Sequence, residues 1–253
     1  MTVHRVTDGQ VSIEDSVASP RATTGGRLRD AYMHDIHALT LGLVRVRGGS
    51  LYVGPLELLR FGPAKVTRFA VEWPIEGGIT ACAPGGRFRI EAARGRLVAS
   101  VDGYRPRLPW PLYALTQLPI HHVVTRLHLL RVRGREPAPG VAAASSDRFS
   151  AAAVDVALCA TLAGLVGKRP SLKILLGITA AYHVACWSIS GRTLGGLVVG
   201  QRVVAVDGSL PSVGQSVVRL LALPIGWTTR RPVHDELAAT DVIVASPYDF
   251  PHG

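Results

Sequence analysis

The sequence predicts an α+β domain, an antiparallel sheet with a long C-terminal helix, followed by a small α-helical transmembrane domain of two to three spans. Three observations carry this. Residues 149–167 (FSAAAVDVALCATLAGLVG) hold one charge, Asp155, and residues 174–191 (ILLGITAAYHVACWSISG) hold none. A helix needs about 20 mostly apolar residues to cross about 30 Å of hydrocarbon, and both runs approach that length. Neither has the polar stripe of a helix on the surface of a soluble domain. Further upstream, Phe88, Ile90 and Ala92 alternate with Arg87, Arg89 and Glu91, the pattern of a half-buried strand. Leu112, Leu115, Val123, Leu127 and Leu130 then recur at helical spacing.

Taken in order, residues 1–26 are polar and without period, which predicts a disordered tail. Residues 27–135 form the first domain. A helix followed by a strand is expected over 30–46, and residues 66–75 (VTRFAVEWPI) are rich in strand formers. Residues 97–104 pair with 87–92 through a turn at Gly95. Pro109-Trp110-Pro111 ends the sheet pattern. In the helix that follows, Arg126, Arg131 and Arg133 crowd the end where cations suit the dipole. Pro119 either kinks this helix or begins its second half. A twisted antiparallel sheet closed by such a helix is similar to the START-like helix-grip arrangement, whose members often hold an apolar ligand between sheet and helix. The alternative is a domain with a filled core.

Residues 136–147 mix Pro, Gly, Ala and Ser with charge and read as a linker. Residues 148–245 form the membrane domain, with a turn at Lys168 and Arg169 between the two apolar runs. Residues 197–206 are either a short hairpin or an interfacial helix. Residues 210–227 are apolar but carry Gln215 and Arg219 near the middle. An arginine at the centre of a lone span costs about 2.5–3.5 kcal/mol, so this segment is either an interfacial helix or, by slight preference, a third span whose Arg219 faces the bundle. Residues 246–253 are a polar tail.

The balance of 28 Lys and Arg against 18 Asp and Glu gives a net charge of +10. Mean hydropathy is +0.25, high for a soluble chain and low for one that is membrane throughout. A basic chain can meet nucleic acid, anionic lipid or the inner face of a membrane. No zinc-finger spacing or RNP-like aromatic strand occurs, so the expected partner is the lipid bilayer, with a membrane-protein partner or a second copy, and no nucleic acid. Cys82, Cys159 and Cys186 are scattered, which fits reduced packing residues rather than a disulfide framework or zinc site. His121 and His128 are seven apart, not the i, i+4 spacing of a chelating pair, so no metal is expected. No GxSxG, Walker A, GxGxxG or HExxH occurs, so neither an enzyme nor a cofactor is predicted. The first 20 residues lack an apolar signal core. The expectation is a multi-pass plasma-membrane protein with its first domain in the cytoplasm.

Arg148 and Asp155 at the head of the first apolar run, Gly191-Arg192-Thr193-Leu194-Gly195 after the second, Gly200-Gln201-Arg202-Val203-Val204 leading to Asp207-Gly208, then Arg219, His234-Asp235 and Ala239-Thr240 stand in an order that resembles the RDD family of small membrane domains. The resemblance covers about residues 145–245. It implies that Arg148, Asp155 and Asp235 are the arginine and two aspartates that name the family. It departs from the family pattern at Gly196, where a lysine is usual. Some RDD members are described as sodium/proton exchangers and others are fused to unrelated soluble domains, so the resemblance implies a transport or transport-associated role.

The residues themselves frame the candidate sites. Arg148 and Asp155 share a helix face but lie about 10 Å apart along it, too far to pair directly. Asp155 must therefore pair with another segment, stay protonated or meet water, and Arg192 and Arg219 are the partners to expect. With His234 and Asp235 they form either an ion or proton site or a polar clamp between helices. His183 is a lone histidine in mid-run, a relay or a packing group. Trp73 and Glu76, before Gly77-Gly78, could share a pocket; a strand end with a glycine turn is the alternative. Two functions follow: transport centred on Asp155, or a membrane-tethered module that holds a lipid or other apolar ligand under the helix over 112–130.

Overall fold

The computed structural model describes residues 2–7, 9–135, 140–166, 171–229 and 232–245. The expected turn at Lys168 and Arg169, the tail over 246–253 and residues 136–139 of the linker lie outside the described residues. The elements in chain order are β1 (Thr2–Thr7), β2 (Gln10–Ala18), α1 (Gly25–Leu39), β3 (Val44–Arg47), β4 (Ser50–Val53), β5 (Leu56–Phe61), β6 (Lys65–Val66), β7 (Ala70–Gly77), β8 (Gly86–Ala93), β9 (Arg96–Tyr104), α2 (Trp110–Leu115) and α3 (Gln117–Arg133). They are followed by α4 (Ser145–Val166), α5 (Leu172–Ile189), α6 (Leu194–Val198), β10 (Gln201–Ala205), α7 (Val213–Thr229), α8 (Val233–Ala238) and β11 (Thr240–Val244). The chain divides into two compact units, Met1–Gly134 and Arg135–Gly253.

The first unit is an antiparallel sheet in the order β1-β2-β9-β8-β7-β5-β4-β3, with β6 paired to β7. Alternation sets its buried face. On β8, Phe88 and Ile90 are buried, opposite Trp73 and Val71 of β7. Leu97, Ala99 and Val101 extend that face onto β9. The β8–β9 turn rests on Arg94 and Gly95, with φ of 50° and 73°, the primed type of turn that matches strand twist. Helix α1 starts on Thr24, whose hydroxyl accepts from the Arg27 amide at 3.4 Å, and buries Leu28, Tyr32 and Ile36. The Tyr32 ring lies 4.8 Å from Phe88 and 5.3 Å from Trp73, so α1 covers the apolar face.

Three polar ties fix α3 beside it. His122 Nδ1 meets Asp15 of β2 at 2.7 Å. Asp35 of α1 receives His128 Nδ1 at 3.0 Å and Arg131 Nε at 3.1 Å. Arg133 Nε donates to the Ala18 carbonyl at 2.9 Å. The break between α2 and α3 falls at Thr116, and Pro119 is the third residue of α3, where its missing N–H costs nothing.

The expected tail over 1–26 is a correction. Residues 2–7 and 10–18 form a hairpin, and β2 pairs with β9 from Val11 to Ala18. Val11, Ile13 and Val17 are buried there among polar neighbours, so the sheet supplied the order that local composition did not signal.

In the second unit, α4 and α5 are long and apolar enough to cross a membrane, with mean hydropathies of 1.9 and 1.4. At 1.5 Å per residue they are about 33 and 27 Å long. The chain covers only 22% and 11% of their apolar windows, unlike core helices. α7 has 17 residues, with Pro224 inside, and falls short of that length. Its Gln215, Ser216 and Arg219 are buried; Gln215 donates to the Ala238 carbonyl and Arg219 to Thr240, each at 2.9 Å. The linker expected over 136–147 is also revised. The Ala143 amide donates to Val242 at 2.9 Å and Val244 donates to Val141 at 2.8 Å, so this segment runs along β11. The segment over 197–206 ends the short helix α6 and then forms β10, which pairs with β11.

Candidate functional site

The face of the first unit that the helices cover is not filled. A cavity of about 350 Å³ lies there, lined from the sheet by Ile13, Leu51, Leu58, Phe61, Ile75, Phe88, Val101 and Tyr104. The helices contribute Tyr32 and Ile36 from α1, Tyr113 from α2, and Gln117, Ile120, His121, Val124 and Thr125 from α3. Its size falls within the about 300–1,000 Å³ usual for small-molecule sites. Its lining contains no Asp, Glu, Lys or Arg. Around it, several large apolar side chains stay in water: Leu41 and Leu115 are each 76% exposed, and Leu43, Leu112 and Ile120 are also exposed. Leu41, Leu43 and Leu112 each neighbour a lining residue in sequence, Leu115 lies two positions from Tyr113 and from Gln117, and Ile120 lines the cavity itself.

The polar groups of this cavity fall into two sets. The Tyr104 hydroxyl donates to the Thr80 carbonyl at 2.6 Å, Thr80 Oγ1 to Leu58 at 2.7 Å and Thr40 Oγ1 to Ile36 at 2.6 Å. These are satisfied by backbone. By contrast, the hydroxyls of Tyr32 and Tyr113 and the amide of Gln117 have no hydrogen-bond partner among the described residues. Tyr32 and Tyr113 are 7% and 2% exposed, yet neither hydroxyl oxygen is sealed in protein. Burial pushes both phenols above their ordinary value. His121 sits edge-on to Phe88, with Nε2 at 3.5 Å from Thr125 Oγ1. Burial pushes it down to about 4, despite the Asp15 carboxylate nearby, so it is neutral at pH 7.

Trp73 and Glu76 do not share this cavity. They are three residues apart on one strand, and a strand turns alternate residues to opposite faces. Trp73 is buried against Phe88 at 5.6 Å between centroids, behind the lining. Glu76 is exposed, with its carboxylate against Gly62.

In the second unit, four of the expected residues converge. Asp235 Oδ2 receives Arg148 Nη1 at 3.2 Å, and Oδ1 receives Arg219. Thr240 Oγ1 accepts from Arg219 Nη1 and donates to Asp235 Oδ1, each at 2.9 Å. Arg148 also donates to the Ala143 and Val242 carbonyls at 3.2 Å, and the Arg219 guanidinium lies over the Trp187 ring at 5.0 Å. His234 Nε2 is 3.4 Å from Asp235 Oδ2. Burial, then Arg219 and Arg148, push His234 down to about 4. Two arginines share one buried carboxylate, and that carboxylate ties α4, α7, α8 and the edge of β11 together.

Asp155 stands apart from this cluster, and Arg219 is not its partner. Asp155 Oδ1 accepts from the Tyr182 hydroxyl at 2.8 Å and the Gly195 amide at 2.9 Å. Tyr182 in turn accepts from the Leu194 amide at 2.7 Å. The contact needs glycine: a Cβ at 195 would lie 2.1 Å from the Ala151 carbonyl oxygen. His183 Nε2 is 3.9 Å from Asp155 Oδ2, while its Nδ1 meets the Thr179 carbonyl at 2.9 Å. Arg192 lies in the loop between α5 and α6, where its amide donates to Ser190 Oγ at 3.2 Å. The sequence reading named Thr240 only as part of the resemblance, without a bonding role, and missed Tyr182, Tyr32 and Tyr113. Their hydroxyls carry no spacing signal; only the tertiary contacts distinguish them.

Compared with known family models, curated proteins and solved structures, the chain matches none.

Proposed function

We propose that the protein is a membrane-tethered binding module: its first unit holds a lipid or another apolar molecule, and its two long apolar helices anchor it. One observation carries this reading, the uncharged cavity of about 350 Å³ between the sheet and α1–α3. A core without a ligand closes to crystal-like density, because empty apolar space forfeits dispersion contacts. The exposed leucines around the cavity suit a ligand that arrives from an apolar phase rather than from water. The anchor rests on the uncovered apolar surface of α4 and α5. The test is native mass spectrometry of the full-length protein purified from membranes. The expected result is a co-purifying apolar adduct, lost in Val124→Trp, which fills the cavity. An adduct-free protein that also takes up no added lipid would end this reading, and release of the chain without detergent would end the tether.

A second reading has its own observation. The resemblance to RDD proteins implies transport, and in the two apolar helices the buried Asp155 has the half-buried His183 3.9 Å away, an acid beside a base. A carbonyl only accepts, so His183 Nδ1 carries a proton, and Nε2 can donate to Asp155 only as the imidazolium. A proton shared there would couple to a cation. Asp155→Asn should then abolish cation-dependent proton flux in sealed vesicles; unchanged flux would remove the transport role.

A further inference from the structure

We infer that the ligand of the first unit is an uncharged amphiphile, an apolar body bearing a neutral hydrogen-bonding group that meets the unused polar groups among Tyr32, Tyr113 and Gln117. This deepens the binding reading above and rests on it.

The argument runs from what the cavity lacks and from what it leaves unused. No cationic or anionic side chain lines it. His121, its one titratable nitrogen base, is neutral at pH 7. A carboxylate or phosphate drawn into such a wall loses its hydration and gains no counter-charge, and a lone buried charge is the costliest group to desolvate.

A plain hydrocarbon fits poorly as well. Two phenol hydroxyls on lining residues more than nine-tenths buried, and the amide of the half-buried lining residue Gln117, have no hydrogen-bond partner among the described residues. A bare hydrocarbon gives these groups no partner. A ligand that carries one hydroxyl, ester or amide supplies one. Tyr113 and Gln117 sit four residues apart across the α2–α3 break, and Tyr32 enters from α1. These groups line the cavity from two sides, and the remaining wall of Leu, Ile, Val and Phe takes the apolar body. Long-chain alcohols and monoacylglycerols have this chemistry; fatty acids at neutral pH and phospholipid head groups do not.

The test uses the full chain in a non-ionic detergent whose micelle competes equally with each compound. 1-Tetradecanol and tetradecanoate are offered at equal concentration at pH 8, where the carboxyl is ionised, and bound species are counted by native mass spectrometry. The expected result is at least a tenfold preference for the alcohol. In the double variant Tyr32→Phe, Tyr113→Phe, which keeps both rings, alcohol binding should fall several-fold, to that of the chain-matched alkane. Equal or tighter binding of tetradecanoate overturns the inference while leaving a lipid-binding unit in place. Unchanged alcohol binding in the double variant overturns the assignment of the phenols. Binding of neither compound, nor of the alkane, removes the binding reading itself.

Discussion

The two units bury polar groups in opposite ways. In the second unit, Asp235 is almost wholly enclosed, and each of its oxygens is met by arginine, with Thr240 bridging. In the first unit, Tyr32 and Tyr113 are as deeply placed, yet their hydroxyls face a space rather than a partner. The bonds to the Asp235 carboxylate itself are complete, although Arg219 Nε and His234 Nδ1 beside it have no hydrogen-bond partner among the described residues; a bonded centre of this kind contributes rigidity and fixes which helices touch. On the binding reading proposed above, the unpaired hydroxyls beside the cavity are where a molecule from outside would be met. The contrast separates a clamp from a site, although both looked alike as scattered polar residues in apolar surroundings.

The sharpest way to break this contrast is to remove the centre of the clamp. Asp235→Ala leaves Arg148 and Arg219 buried without their carboxylate and should cost about 3–5 kcal/mol, read as loss of thermal stability in detergent. A change below about 1 kcal/mol would show that the cluster is no clamp. Thr240→Val keeps the shape, removes the hydroxyl between Arg219 and Asp235, and should cost about 1–3 kcal/mol. Acidification should weaken both units in the same direction. His121 and His234 each sit near 4 in the folded chain, against about 6.5 when unfolded. The unfolded state then binds more protons between those values, so stability is fully present above about pH 6.5 and is lost as pH falls toward 4. His234→Gln should flatten that slope in a pH series of melting temperatures; an unaltered slope would point to other groups. The smallest effect is expected where the contrast is keenest. Tyr113→Phe deletes a buried hydroxyl with no partner, so in the ligand-free protein stability should stay within about 0.5 kcal/mol of the original or rise. A loss above about 1.5 kcal/mol would mean that the hydroxyl already has a bond.

Much of this was legible in residue order. The alternation over 87–92 became β8, the segment over 97–104 became β9, and the apolar runs became α4 and α5 with one buried carboxylate between them. Those signals are local: period two, and length without a polar stripe. The hairpin over residues 2–18 was not legible, because β2 takes its order from β9, some 80 residues away. The partner of Asp155 was misjudged for a related reason. Charge suggested arginine, but the close approach allowed by Gly195 brought a tyrosine hydroxyl and a backbone amide to the carboxylate first.

The sequence by itself determined which segments are apolar, which alternate and where the chain turns, since these follow from side-chain chemistry at fixed spacing. Only the tertiary structure decided that Arg148, Arg219 and Asp235 meet while Asp155 does not join them. It also decided that the sheet and three helices stop short of closing on Phe88 and Val101. Volume between elements depends on how separate surfaces fit together, and no window of residues contains that quantity.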